Sequence, residues 1–119
     1  MSRLKPCPES PNCVCSHTPS SRRQHAIAPL TITGDVDTAM ARLARVVSSL
    51  PRSRVHKQEE GYLWVVCTTA LLRFRDDVEF ELDRDAAVIH VRSASRLGYS
   101  DLGVNRRRVE TIRERFEQA

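Results

Sequence analysis

The stretch VEFELDRDAAVIHVRS, residues 78 to 93, decides the fold. In its first half apolar and acidic residues alternate, which is the period-two pattern of a strand with one buried and one wet face. A second apolar run follows from Ala87 to Ser93. The link of residues 83 to 86 is too short for a crossover helix, so the two runs are predicted to form an antiparallel hairpin.

The rest of the chain extends this hairpin into a sheet with two helices. Runs typical of strands occupy Arg54 to Gln58, Tyr62 to Thr68, Leu71 to Arg75, Val78 to Leu82 and Ala87 to Ser93. Apolar residues recur at helical spacing from about residue 36 to 50 and from Val104 to Gln118. We therefore predict an α+β fold with two layers, in which an antiparallel sheet of about five strands is flanked by two helices.

The N-terminal part has a different composition. Residues 1–34 hold most of the prolines and three of the four cysteines, without an apolar period. They are predicted to form an irregular segment packed on an α+β domain of residues 35–119, so that the chain is a single domain.

The length of the apolar segments bears on membrane insertion and export. No run of about 18 apolar residues is present, so no membrane span is predicted. The start MSRLKPCPESPNC lacks the apolar stretch of a secretory signal, and the expected location is the cytoplasm.

The net charge of +4 comes from one part of the chain. Residues 92 to 115 contain seven basic residues and three acidic ones, and all seven are Arg. Arginine favours forked hydrogen bonding to carboxylate or phosphate over diffuse attraction to a polyanion.

The block RSASRLGYSDLGVNRRR, residues 92 to 108, is the main candidate site. It joins the last predicted strand to the last helix, whose free N–H groups and positive dipole end favour an anion. We predict that it binds a small anionic ligand, with the N-terminal segment folded over the same site. The candidate ligand-binding residues are Arg92, Ser93, Ser95, Arg96, Tyr99, Asp101, Asn105, Arg106, Asn12 and Cys13.

The same residue types also suit a purely structural role. Asp101 would cap the helix, and Asn105 would hydrogen-bond the loop. Arg92 or Arg96 would pair with the adjacent carboxylates of residues 76 and 77, which cannot both point the same way in a strand. The sequence leaves the binding site and the structural lock open as alternatives.

The cysteine-rich start permits several chemistries. Cys7, Cys13, Cys15 and His17 would make a zinc site, but the common paired Cys-x-x-Cys spacing is missing and no cofactor is expected. A disulfide between Cys7 and Cys13 is sterically reasonable, and a reduced pair is equally compatible with the sequence.

The sequence contains no phosphate loop, dinucleotide fingerprint or nucleophile elbow. One alternative function is an enzyme that uses Cys13 or Asp101 in an unnamed reaction. Another is a protein-interaction module that presents the basic block to an acidic partner. Nucleic acid is less favoured, because the basic block lacks interleaved aromatic residues.

Three blocks together resemble a known family. CPESPNCVCS near the start, RFRDDVEF in the middle and RSASRLGYSDLGVNRRRVETIR near the end are similar to the signature blocks of the domain-of-unknown-function family 1499. The resemblance implies a stand-alone domain of bacteria and plastid-bearing organisms, without a known activity and with some relatives exported or lipid-anchored. Cys15 departs from the family pattern, which more usually has Ser, and this weakens the zinc interpretation.

Overall fold

The two helices and the central strands lie where the sequence patterns predict them. In this computed structural model, which describes residues 2–97 and 103–119, helix α1 spans Val36–Ser48 and helix α2 spans Val104–Gln118. The strands are β1 (Cys13–Cys15), β2 (Leu30–Thr31), β3 (Ser53–Glu59), β4 (Tyr62–Thr68), β5 (Arg75–Asp83) and β6 (Val88–Ser95). None of the described helices is long and apolar enough to cross a membrane.

The sheet is antiparallel with the order β1-β6-β5-β4-β3, and β2 also pairs with β6. The predicted hairpin is confirmed: Phe80 lies opposite Val91, and both are fully buried. Both helices pack on this inner face, where Leu43 of α1 and Phe116 of α2 complete the core. The predicted two-layer α+β fold is therefore confirmed.

Helix α1 begins at a side-chain cap and buries a narrow apolar stripe. The carboxylate of Asp35 accepts a hydrogen bond of 2.9 Å from the backbone N–H of Asp37, which satisfies one of the free donors of the first turn. Ala39, Leu43 and Val47 recur at helical spacing and face the core. The helix ends two residues before the predicted end at residue 50.

The N-terminal segment is less irregular than predicted. Cys13 pairs with Ala94 and Leu30 pairs with Ile89, so β1 and β2 together extend the sheet beyond β6. The free backbone groups along that edge are satisfied by this pairing, which composition alone does not reveal. Residues before β1 cross to the outer face of the sheet, where Leu4 packs in a second apolar cluster with Tyr62.

The predicted strand from Leu71 to Arg75 is wrong. Thr68 pairs with Arg75, so residues 69–74 form the turn of the β4–β5 hairpin. The backbone N–H of Thr69 donates to the carbonyl of Phe74 at 2.8 Å, and the N–H of Phe74 donates to the Thr69 hydroxyl at 2.9 Å. Apolar residues suggested a buried strand, but Leu71 is 89% exposed.

Candidate functional site

Strand alternation divides the predicted polar block between the two faces of the sheet. Residues 92–95 belong to β6 and residues 104–108 to α2, so the block is only in part a loop. Ser93 and Ser95 point inward to α2, whereas Arg92 and Arg96 lie on the outer side. One sequence block therefore contributes to two separate sites.

The inner site is a buried network centred on Asn105, the second residue of α2. Its amide oxygen accepts from the Ser93 hydroxyl at 2.5 Å and from Arg108 Nη1 at 2.8 Å. Its amide nitrogen donates to the backbone oxygen of Asn12 and to Ser95 Oγ, both at 3.1 Å. One side chain thus joins the N-terminal segment, β6 and α2, and such satisfied networks fix a unique arrangement of their elements.

A buried ion pair completes this network. Arg108 Nη2 lies 2.7 Å from Asp76 Oδ2, with the two side chains only 13% and 1% exposed. The contact does not meet hydrogen-bond geometry, and among the described residues neither Asp76 oxygen has a hydrogen-bond donor. The Asp76 carboxylate is therefore held mainly by the charge of Arg108. We call Asn12, Asp76, Ser93, Ser95, Asn105 and Arg108 the polar cluster.

A thiol lies beside the polar cluster. Cys67 on β4 is opposite Asp76 on β5, and a cavity of about 230 Å³ is lined by Cys67 and Arg108. Burial raises the pKa of the Cys67 thiol, and this outweighs the opposing effect of Arg108. The thiol is therefore protonated at neutral pH and is a poor nucleophile.

The predicted ligand-binding arginines do not converge on one point. Arg96 forms two hydrogen bonds to Asp77, at 2.9 and 3.0 Å. Arg106 donates from Nη2 to the backbone oxygens of residues 23, 24 and 26. Arg92 is half-buried on the outer face, and its Nε has no hydrogen-bond partner within residues 2–97 and 103–119. Two further candidates, Tyr99 and Asp101, lie outside the described residues.

Of the two N-terminal candidates, Asn12 belongs to the polar cluster and Cys13 follows it in β1. Besides its bond from Asn105, the backbone oxygen of Asn12 accepts from the N–H of Ser95 at 3.0 Å. The Asn12 side chain donates to the backbone oxygen of Leu97. The expected contact between the Asn12-Cys13 segment and the start of the last helix is observed.

The cysteines adopt one of the arrangements that the sequence left open. Cys7 and Cys13 form a disulfide, while Cys15 and Cys67 are free and buried. In this state Cys13 has no thiolate for catalysis, and two of the four proposed zinc ligands are bonded to each other. Within residues 2–97 and 103–119, no group of three or more His, Cys, Asp or Glu side chains is placed to hold a metal.

The outer face carries a second site that the sequence reasoning missed. A groove of about 530 Å³ runs over β3, β4 and β5, with Val66 and Thr68 at its floor. Its lining contains the basic residues Arg52, Arg54, His56, Arg73, Arg75 and Arg96. None of the described residues that line it is acidic. We call this feature the basic groove.

Most of the charge in the basic groove is uncompensated. Arg54, Arg73 and Arg75 are exposed, and each lacks a side-chain hydrogen bond or ion pair to any described residue. The Arg52 side chain donates to the backbone oxygen of Thr68, at 3.2 Å. These side chains therefore remain available to an anion from solution.

Arg96 differs from the other arginines of the basic groove because it has an acidic partner among the described residues, Asp77. Burial alone raises the pKa of Asp77, but hydrogen bonds from Arg96 and from the Trp64 indole N–H bring it below its usual value. Asp77 is therefore ionised at neutral pH and neutralises Arg96.

A signal for the basic groove does exist in the sequence. Arg52-Ser53-Arg54 and Arg73-Phe74-Arg75 are two Arg-x-Arg motifs, each at the start of a strand. Only the pairing of β3 and β5 with the two edges of β4 shows that they meet at one groove.

Comparison with known proteins identifies the family without adding a function. Neither the curated proteins nor the solved structures include a significant match to this chain. The family model described as protein of unknown function (DUF1499) matches residues 3–116, which is nearly the whole chain. The resemblance seen in the three sequence blocks is thereby confirmed, and the protein belongs to the DUF1499 family.

Proposed function

We propose that this protein binds a small anion, and that the anion lies in the basic groove. The observation that carries the proposal is a concave surface of about 530 Å³ with five arginines, one histidine and no acidic residue among its described lining. A volume of this size suits a small molecule. The sequence had placed the anion at residues 92 to 108, and among the described residues of that block Arg96 alone lines the basic groove.

The strand order supports convergence on one ligand. Arg54 on β3 pairs with Val66 of β4, and Arg75 on β5 pairs with Thr68. Their backbones are therefore two strand spacings of about 4.8 Å apart across the sheet and two residues apart along it. Arginine side chains extend far enough from both sides to meet over the floor at Thr68. Guanidinium groups form paired hydrogen bonds with phosphate or carboxylate oxygens, and this favours an anion with several oxygens.

The inner face offers less support for ligand binding. Its candidate residues Ser93, Ser95 and Asn105 are occupied by bonds to one another and to Asn12. The buried carboxylate of Asp76 would also repel an anion there. These contacts support a structural role for the polar cluster.

Titration calorimetry with inorganic pyrophosphate at low ionic strength tests the proposal. The wild-type protein is expected to bind, and Arg75→Ala or Arg54→Ala should each weaken binding by about tenfold, since a charge-assisted hydrogen bond is lost. Both side chains are exposed, so the variants are expected to fold.

The control is Arg115→Ala, which removes the same charge from the exposed last turn of α2. This variant should bind pyrophosphate like the wild type. If the wild type fails to bind, or if Arg115→Ala weakens binding as much as Arg75→Ala does, the basic groove is not a specific anion site.

A further inference from the structure

The exposed apolar side chains of the described residues gather at one end of the sheet. Leu71 is 89% exposed and Leu72 is 65% exposed, in the β4–β5 turn. Phe74 is in the same turn, and Leu97 follows the end of β6. The N–H of Arg96 donates to the backbone oxygen of Arg75 at 3.1 Å, so the end of β6 lies beside that turn. We call Leu71, Leu72, Phe74 and Leu97 the apolar rim.

The turn holds its leucines outward by means of an ordered backbone. Thr69 and Phe74 close it with two hydrogen bonds, and Arg73 between them adopts a left-handed backbone with φ 60°. Exposed apolar residues that form a contiguous patch, unlike single ones, indicate an interaction surface.

Charge is distributed unevenly between the two ends of the sheet. The apolar rim adjoins the basic groove, since Arg73 and Arg75 belong to the same hairpin as Leu71 and Leu72. The opposite end carries acidic side chains at the β3–β4 and β5–β6 turns. These are Glu59, Glu60, Asp83 and Asp85, which outnumber the basic side chains Arg84, in the same turn, and Arg3, paired with Glu59. The molecule is thus polarised along its strands, and an anionic surface would orient the apolar rim toward itself.

We propose that this end of the sheet docks on the surface of an anionic phospholipid bilayer. Leu71 and Leu72 enter the boundary between headgroups and acyl chains, and the arginines of the basic groove bind lipid phosphates. The inference rests on the proposed anion binding and names the source of the anion as a lipid headgroup. A freely dissolved anion would use the arginines but would leave the exposed leucines without a role, whereas peripheral membrane binding needs both apolar insertion and positive charge.

Sedimentation with lipid vesicles provides the test. The full chain is expected to bind vesicles of phosphatidylcholine mixed with phosphatidylglycerol, and to bind phosphatidylcholine vesicles at least about fivefold more weakly, since each nearby arginine contributes roughly that factor at an anionic surface. Replacing Leu71 and Leu72 together by Ser should reduce binding to the anionic vesicles by about tenfold or more. Replacing the same two leucines by Met keeps the apolar volume, so this control variant should bind the anionic vesicles like the wild type.

The variants separate this inference from the proposed anion binding. The double Ser variant should retain wild-type affinity for pyrophosphate, because its arginines are intact, whereas Arg75→Ala should lose affinity for both pyrophosphate and vesicles. If the wild type binds pyrophosphate but not the anionic vesicles, or if the double Ser variant sediments like the wild type, membrane docking is refuted while anion binding stands. Equal retention of the wild type by single-stranded oligonucleotide and by vesicles would likewise refute a lipid-specific surface.

Discussion

The polar cluster and the basic groove use the same kinds of residues on opposite faces of the same strands. On the inner face Arg108 is 13% exposed and contacts both Asp76 and Asn105. On the outer face Arg75 is exposed and has no ion-pair partner among the described residues. The arginine of the inner face is paired with a buried carboxylate, whereas Arg54, Arg73 and Arg75 of the outer face have no ion-pair partner among the described residues.

The adjacent carboxylates of Asp76 and Asp77 likewise lie on opposite faces of the sheet. Asp76 points inward to Arg108, and Asp77 points outward to Arg96 and Trp64. Both make an ion pair with an arginine, but their burial differs, since the Asp77 side chain is 23% exposed and that of Asp76 is 1% exposed. If the polar cluster is structural and the basic groove is functional, these two positions should respond differently to substitution.

The largest effect on stability is expected when the buried carboxylate is removed. Asp76→Asn leaves Arg108 as an uncompensated and largely buried charge, so the free energy of unfolding should fall by about 3 kcal/mol at neutral pH. The matched variant Asp77→Asn breaks a partly exposed pair and should cost less than about 1 kcal/mol. Urea unfolding of both variants measures the difference.

An opposite ranking would change the assignment of the inner face. Because neither Asp76 oxygen accepts a hydrogen bond from the described residues, the ion pair with Arg108 has to offset the cost of burying the carboxylate. If Asp76→Asn leaves the free energy of unfolding unchanged or raises it, the buried carboxylate does not stabilise the fold. A functional role for the polar cluster would then be favoured over a structural one.

The second expected effect concerns the centre of the polar cluster. Asn105→Ala removes the bonds to Ser93, Asn12, Ser95 and Arg108 and leaves buried partners unsatisfied, so the free energy of unfolding should fall by about 2 kcal/mol. Pyrophosphate affinity, measured on the folded protein, should stay at the wild-type value, because Asn105 is not in the basic groove.

A surface amide on the same helix provides the control for Asn105. Gln118→Ala removes an exposed amide near the end of α2 and should change the free energy of unfolding by less than about 0.5 kcal/mol. Loss of pyrophosphate binding in a stable Asn105→Ala protein would show that the two faces are coupled.

Much of the fold could be predicted because local patterns coincide with the tertiary structure. Alternation over residues 78 to 82 places Phe80 inward, and the helical period of α1 places Leu43 inward. The same reasoning gave a wrong prediction for the turn at residues 69–74, because Leu71 and Leu72 are apolar but exposed. A pattern of residue types does not state whether an apolar residue is buried.

The candidate sites were less predictable because both depend on contacts between distant elements. The meeting of Asn12 with Asn105 was expected from the sequence, and it is observed. The pairing of Arg108 with Asp76 and the convergence of Arg54 with Arg75 depend on helix docking and strand order. Strand alternation also sends Arg92 and Ser93 to opposite faces, which divides a block that is continuous in sequence.

The smallest expected effect is a dependence of stability on pH that comes from the outer pair. The pKa of Asp77 is lowered in the folded protein, since hydrogen bonds from Arg96 and Trp64 outweigh the opposing effect of burial. A carboxyl group whose pKa falls on folding stabilises the protein above its unfolded pKa of about 3.9, and this contribution is lost as the pH falls through the folded value.

Urea unfolding of the wild type and of Asp77→Asn between neutral pH and about pH 3 isolates this contribution, because other carboxyl groups titrate alike in both proteins. The stability difference between the two proteins should be below about 1 kcal/mol at neutral pH and should shrink on acidification, since the Arg96 side chain is 42% exposed and solvent screens the pair. A difference that is constant over this range would contradict the lowered pKa, since the bonds from Arg96 and Trp64 that lower it stabilise the ionised form of Asp77. A difference that grows on acidification would contradict the lowered pKa. It would mean that folding raises the pKa of Asp77, as burial does for an acid without a partner.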